Sequence, residues 1–365
     1  MKLKTLIHEP TYDSILDTLI DVSQKNLCSF ISPTPLISPF WETTFTPSSS
    51  EVIFRSLLDT KPNAIKKFYT IQPCIRINDL PNLVDGWHSL LFHMASFFFL
   101  DIDGFECFLS CVLNSMIEAS NLKLSDFYFT ISPNSYCPNS LPSENLGSDL
   151  LKRLNVKEEQ IIWCSGTDNY QDSYRISEKR QRVSMIGPKV EIYVMLPNGS
   201  KLYEIATCEI ANCSLEFIRE GEKIQRNVFA FALGLERFTS VMNGQTSISL
   251  MSQHRQLINE VCNSCLHQSM ANSSLGKDAI SQVLFIIDAL VAISPEMASN
   301  KPHNRGITNH YRRMIRELSR TLKGMGISLE NLLQVASSKL GQDVGSELDV
   351  DFIAEQIKEE VMGLV

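Results

Sequence analysis

The segment Phe229–Gly244, read as FAFALGLERFTSVMNG, fixes more of the fold than any other stretch of this chain. An apolar run from Phe229 to Leu233 meets a single glycine, Gly234, after which Leu235, Phe238, Val241 and Met242 recur at helical spacing. A strand, a tight turn and a helix follow. Gly234 is expected to supply a close backbone approach or a positive φ at that turn, and Asn243-Gly244 is expected to stop the helix. Arg237 sits badly in this local scheme, because a cation in the first turn meets the positive end of the helix dipole, at about 0.3–1 kcal/mol. Two readings are open. Glu236 beside it supplies the anion, or Arg237 faces a cleft and holds a phosphate or stacks on a base.

The other β signal is a hairpin. GPKVEIYVML from Gly187 alternates, Pro197-Asn198-Gly199 turns, and Lys201–Ile210 alternates back. In the return strand Tyr203, Ile205, Thr207, Glu209, Ala211 and Cys213 are expected to share a face, so that Glu209 is a carboxylate among apolar neighbours. Such a group needs a partner or a metal. Leu90–Leu100 and Ile161–Trp163 read as further strands. Tyr12–Val22, Cys107–Leu122 and Ser148–Val156 read as helices, and Pro33, Pro35 and Pro39 mark an edge strand or extended arm. Past Gly244 the pattern turns helical, with Thr246–Ala271 and Gly276–Ser294 as helices and Ile327–Val365 as an acidic helical pair. This places a boundary near residue 245, giving domains 1–245 and 246–365.

Composition narrows the function classes. A net charge of −8 excludes a generally basic, nucleic-acid-coating surface. Yet Lys301–Lys323 holds Lys301, Arg305, Arg312, Arg313, Arg316, Arg320 and Lys323 against Glu317 alone, a local basic patch of the kind that phosphate-backbone binding requires. Of ten cysteines only Cys262 and Cys265 form a CxxC pair, inside a helical pattern, which reads as two core thiols. The chain opens without a secretory leader, so a cytoplasmic protein with reduced thiols is expected. Apolar runs such as Leu284–Ile293 fall short of the roughly 20 residues of a membrane span, and no membrane role is expected.

Several of these segments, in chain order, resemble class II aminoacyl-tRNA synthetases of the alanine-specific type. GLERF at Gly234–Phe238 resembles their third signature motif. Cys74-Ile75-Arg76 with Asn78-Asp79-Leu80 and Asn82-Leu83 resembles C-[VI]-R…N-D-L-x-N. Trp87–Met94 falls on R-H-H-T-F-F-E-M, Gly187-Pro188…Glu191-Ile192 on G-P-x-x-E-I, and Glu209–Asn212 on E-I-W-N. Ser299-Asn300…Arg305-Gly306…Tyr311–Arg316 is similar to P-S-N-x-G-R-G-Y-x-L-R-R-I-I-R-R, in the helical domain of those enzymes that reads the tRNA acceptor stem. The resemblance runs over roughly residues 10–320 and leaves out the editing and C-terminal domains.

The resemblance implies an α+β fold, a class II synthetase-type antiparallel sheet flanked by helices, followed by an all-α domain. It implies ATP-dependent adenylation of an amino acid, alanine or a related one, with transfer to tRNA and with Mg²⁺ as cofactor. Arg76, Glu209 and Arg237 would be catalytic, with Glu209 holding the magnesium and Phe92 and Arg237 enclosing adenine. Arg76, Asp79, His88, Phe92, Met94, Glu191, Asn212, Gly234 and Arg237 would line the ATP site. Asn300, Arg305, Arg312, Arg313 and Arg316 would face tRNA. The departures fall unevenly: Trp87 and His93 stand for an arginine and a glutamate of the second motif, and the substrate pocket departs further. Gln171 stands for a tryptophan, and Phe229 or Ala230, with Ala232 beyond, stands where an aspartate anchors the amino group. Two alternatives therefore remain open: a paralogue that activates another small carboxylic acid for a non-tRNA acceptor, and a non-catalytic protein that binds ATP or RNA.

Overall fold

The structure is a computed structural model. It describes residues 11–38, 45–52, 67–120, 122–131, 146–164, 170–171, 174–175, 182–196, 201–216, 223–245, 274–297 and 305–325. The expected helices at Thr246–Ala271 and Ile327–Val365, and Asn300, lie outside these. The chain divides into two compact units. The first comprises Met1–Pro33, Ser49–Gln72 and His93–Gln245, and the second Thr34–Ser48, Pro73–Phe92 and Thr246–Val365.

The described elements are α1 (Tyr12–Lys25), β1 (Ser29–Phe30), β2 (Lys67–Ile75), β3 (Leu91–Phe99), α2 (Ile102–Ala119), β4 (Phe127–Ile131), α3 (Leu146–Arg153), β5 (Ile161–Trp163), β6 (Tyr170–Gln171), β7 (Tyr174–Arg175), β8 (Arg182–Met195), β9 (Leu202–Glu216), β10 (Lys223–Gly234), α4 (Leu235–Met242), α5 (Ser274–Met297) and α6 (Arg305–Met325). Short 3₁₀ segments, notably Ile77–Asp85, link some of them. The strands form one sheet in the order β1-β2-β3-β10-β9-β8-β4-β5, with β6 and β7 also paired to β8. Its centre is antiparallel, and the pairs β1–β2 and β4–β5 at its edges are parallel. With helices against it, this is the α+β sheet-and-helix architecture that the sequence implied.

Alternation along the strands builds the core of the first unit. On β10, Phe229, Phe231 and Leu233 point to one face, and their cross-strand partners Phe99, Phe97 and Ala95 on β3 point the same way. Phe105 and Phe108 of α2 close this layer, with ring centroids 5.8 Å from Phe229 and 4.7 Å from Phe97 respectively. These side chains are almost wholly buried. At about 25 cal/mol per Å² of apolar surface, this aromatic layer is a dominant stabilising term for the unit.

The strand–glycine–helix passage forms where the sequence placed it, as β10 runs directly into α4. Its glycine works differently from the expectation. Gly234 has φ −82°, an ordinary extended value, and a Cβ added there would meet nothing within 4 Å. The chain could turn here with an alanine, so neither close backbone approach nor positive φ explains the residue. Gly244 does adopt φ +66°, and its N–H bonds to the Val241 carbonyl, a left-handed helix stop as Asn243-Gly244 predicted.

In the second unit α5 packs against α6 and against the Ile77–Asp85 segment. By length and composition Asp278–Met297 would pass for a membrane span, longer than the apolar run read from sequence. Ile280, Val283, Leu284, Ile286, Ile287, Leu290 and Ile293 are buried by protein, which is the packing of a core helix. At its end the Glu296 carboxylate accepts the backbone N–H groups of Leu36 (3.0 Å) and Ile37 (2.8 Å), holding the proline-bearing segment.

Candidate functional site

The face of the first unit's sheet opposite the aromatic layer carries charged and hydroxyl groups on β8 and β9, and mostly small or apolar residues, among them the buried Phe98 and Ala230, on β3 and β10. Cross-strand partners share a face, so the register reads across it directly. Met94, Ser96 and Phe98 of β3 stand opposite Gly234, Ala232 and Ala230 of β10, and Ala232 and Ala230 stand opposite Thr207 and Glu209 of β9. Thr207 and Glu209 in turn face Glu191 and Lys189 of β8, and Glu191 faces Thr130 of β4. The two alanines and the glycine make a low floor beside the charged groups. The open space over the Cα of Gly234 belongs to that floor.

A register shift adds a charge to this face. Ile192 pairs with Ala206 but Tyr193 pairs with Glu204, so Ile205 is an extra residue in β9. A bulge of this kind re-aims the side chains that follow it. The strict alternation expected from sequence is thereby broken: Glu204, rather than Tyr203, joins Thr207 and Glu209. Glu204 receives Arg237 Nη1 at 3.4 Å, with the arginine side chain 23% exposed. Among the described residues the anion beside Arg237 is thus Glu204, from strand β9.

Glu236, the sequence neighbour, points elsewhere. Its oxygens accept the backbone N–H of His93 at 3.0 and 3.1 Å, and the His93 ring Nδ1 lies at 3.0 Å. The Tyr12 ring stands edge-on to the imidazole, with centroids 6.0 Å apart. Burial alone would lower the His93 pKa, but the hydrogen bond and charge of Glu236 outweigh it and raise it. Burial, followed by the Glu236 charge, drives the Tyr12 phenol far up, so it stays protonated. Because β3 alternates, this cluster lies on the face away from Met94.

Lys189, Glu191 and Tyr193 form a second cluster. Lys189 Nζ donates to Glu191 Oε1 at 2.6 Å and Tyr193 Oη donates to Glu191 Oε2 at 2.9 Å, so both carboxylate oxygens are engaged. Burial, then the Glu191 charge, raises the Tyr193 pKa. Sequence reasoning singled out Glu191 and missed Lys189, Tyr193 and Glu204. The period of two in K-x-E-x-Y was the available signal for the first two.

The remaining expected residues are distributed as follows. Arg76, Asp79, His88 and Phe92 belong to the second unit. Arg76 follows β2, its guanidinium lies over the Phe92 ring at 5.0 Å, and its Nε donates to the Pro47 carbonyl at 3.0 Å. Among the described residues no carboxylate forms an ion pair with it, and Asp79 meets it only through the backbone, N–H to Arg76 carbonyl. His88 Nδ1 lies 2.7 Å from Asp85. Burial pushes the Asp85 pKa up, but its bonds from the Trp87 and His88 backbones and the His88 ring bring it below the usual carboxylate value. Asn212 pairs with Asn227 and Ile186, and Gln171 with Gly187, as backbone partners. On α6, Ile307, Tyr311, Met314, Ile315, Leu318 and Leu322 are buried. Arg305, Arg312, Arg313, Arg316, Arg320 and Lys323 are exposed. Arg305, Arg312, Arg316 and Lys323 fall within an arc of roughly 40° over about 27 Å of helix, a single cationic stripe.

A magnesium ion held at Glu209 would need further oxygen ligands nearby. Among the described residues no three His, Cys, Asp or Glu side chains converge as a metal site. The residue facing Glu209 on β8 is a lysine, and each oxygen of Glu191 already accepts a hydrogen bond. The described side chains do not fit a resident ion.

No protein-family profile matches this chain, and no curated protein matches it. Solved structures do. The histidyl-tRNA synthetase of S. aureus aligns with TM-score 0.40 and 13% identity over 64% of this chain and 66% of its own. The asparaginyl-tRNA synthetase of Pyrococcus horikoshii aligns with TM-score 0.35 and 13% identity over 67% of this chain and 66% of its own. The RNA binding domain of threonyl-tRNA synthetase from Cryptosporidium parvum Iowa II gives TM-score 0.42 and 10% identity, over 69% and 73%. The chain thus spans slightly less than two thirds of the histidyl and asparaginyl enzymes.

Proposed function

We propose that this chain is an ATP-dependent, adenylate-forming ligase of the aminoacyl-tRNA synthetase kind. The observation that carries the reading is the charge-bearing face of the first unit's sheet, where partly buried charges border a floor of alanine and glycine. Its chemistry suits a compact ligand that bears both anionic oxygens and a small polar head. A carboxylate oxygen of the substrate forms a bond to the α-phosphorus of ATP. The bond from that phosphorus to the bridging oxygen breaks, and pyrophosphate leaves with the electron pair. The chain's own part is positioning and charge stabilisation, so no side-chain nucleophile is required. Arg237, held at the edge of the face by Glu204, is assigned to ligand phosphate. Arg76, stacked on Phe92 with a neutral carbonyl as its partner, carries a net charge available to an anion.

The α6 stripe supports tRNA as the acceptor, and alanine is the first substrate to test because of the sequence resemblance. Ala230 favours a second reading, in which a carboxylic acid without an amino group is activated, since no carboxylate stands at that position. Exchange of labelled pyrophosphate into ATP across an amino-acid panel and a set of simple carboxylic acids separates these. Exchange with an amino acid, lost in Arg237→Ala, supports the first reading. Exchange with a simple acid alone supports the second, and none with any substrate overturns both.

A further inference from the structure

Glu191 and Glu209 are diagonal neighbours on adjacent strands of the charge-bearing face, Glu191 opposite Thr207 and Glu209 opposite Lys189. Two carboxylates so placed, with Cβ atoms roughly 7–8 Å apart, are a common way to share a divalent ion. Here the strand partner directly opposite Glu209 is a cation, Lys189. Its ammonium bonds Glu191 at 2.6 Å, and both side chains are largely buried, at 20% and 17% exposure. Tyr193 takes the other Glu191 oxygen at 2.9 Å. An ion recruited to Glu191 would compete with two hydrogen bonds and stand beside an ammonium, a like-charge contact in a partly desolvated setting.

We propose that Lys189 is the built-in cation of this face, holding the place a resident divalent ion would take between Glu191 and Glu209. An ammonium has three N–H donors, and Glu191 uses one. The others are available to anionic oxygen on a ligand over the alanine floor, so the face binds such oxygen through a protein cation. Any divalent ion then arrives coordinated by the ligand's phosphates and is not stored on the protein. This proposal builds on the ligand-binding role given above to the charge-bearing face. Its test needs neither nucleotide nor turnover, so the two fail separately.

The probe is Mn²⁺ alone, titrated into the purified full chain while the free-ion signal is read by electron paramagnetic resonance. The wild-type chain is expected to leave the signal at its buffer level across the micromolar range. Lys189→Met is expected to bind one Mn²⁺ per chain about tenfold or more tightly than wild type, and adding Glu209→Gln is expected to remove the gain. Lys189→Arg, which keeps a cation there, is expected to behave as wild type and shows that the change is one of charge and not of fold. Wild-type binding that disappears in Glu209→Gln overturns the proposal. So does a folded Lys189→Met chain, judged by circular dichroism, that binds no more Mn²⁺ than wild type.

Discussion

Glu236, at the start of α4, accepts the backbone N–H of His93 with both carboxylate oxygens and takes the same residue's ring Nδ1 at 3.0 Å. One side chain thereby ties the helix that carries Arg237 to strand β3. The folded imidazole holds its proton more tightly than the unfolded chain does, near its ordinary 6.5. The stabilisation is therefore full below about pH 6.5 and is lost as pH rises through the higher folded value. Glu236→Gln keeps the shape and removes the charge. Its melting temperature is expected to fall furthest below wild type near pH 6 and to approach it as pH rises above the raised folded pKa of His93. A gap that stays constant or widens with pH would show that His93 protonation plays no part.

The same residue shows why some of the molecule was legible in the sequence and some was not. Strand β10, the hairpin β8–β9 and helices α1, α2 and α5 follow from periodicity, a local property of the chain. Partners are not local. Glu236 sits beside Arg237 in sequence, yet it bonds a residue 143 positions away, while Arg237 pairs with Glu204. That second pairing depends on the extra residue Ile205, and nothing in an alternating strand marks where a bulge falls. A lone glycine at a strand-to-helix junction commonly marks a turn requirement, and the sequence around Gly234 invites that reading. Its ordinary φ and open surroundings move its significance to the space it leaves.

Glu296 links the end of α5 to the backbone of Leu36 and Ile37. Hydrogen bonds to a charged acceptor are the stronger kind, and removal strands two N–H donors in a partly buried segment. Glu296→Ala is expected to lower the unfolding free energy by about 1.5–3 kcal/mol in urea titration and to quicken proteolysis within 33–38. A change under about 0.5 kcal/mol would mean that water replaces the carboxylate without loss.

The α6 stripe makes a quantitative statement about salt. If Arg316 and Lys323 each neutralise one RNA phosphate, replacing both with glutamine weakens tRNA binding. It also flattens the slope of log K against log salt by about 0.7–0.9 per lost contact. Filter binding at several salt concentrations measures both. Arg320, already paired with Glu317 at 2.5 Å, is expected to matter less. Equal affinity and slope in wild type and double variant would remove α6 from the interface.

Gly234→Ala separates folding from ligand binding most cleanly. At φ −82° and ψ 115° the backbone accepts any residue, and an added Cβ meets no neighbour within 4 Å. Loss of glycine also narrows the unfolded ensemble, so stability is expected to hold or to rise by about 0.4–1 kcal/mol. The new methyl nevertheless projects over the charge-bearing face opposite Met94, into the space assigned to the ligand. Pyrophosphate exchange is therefore expected to fall about tenfold or more while the melting temperature does not drop, since one misplaced methyl disturbs a near-attack arrangement. If exchange is unchanged in a variant of full stability, the ligand does not lie over Gly234, and the floor of Ala230, Ala232 and Gly234 is a packing surface.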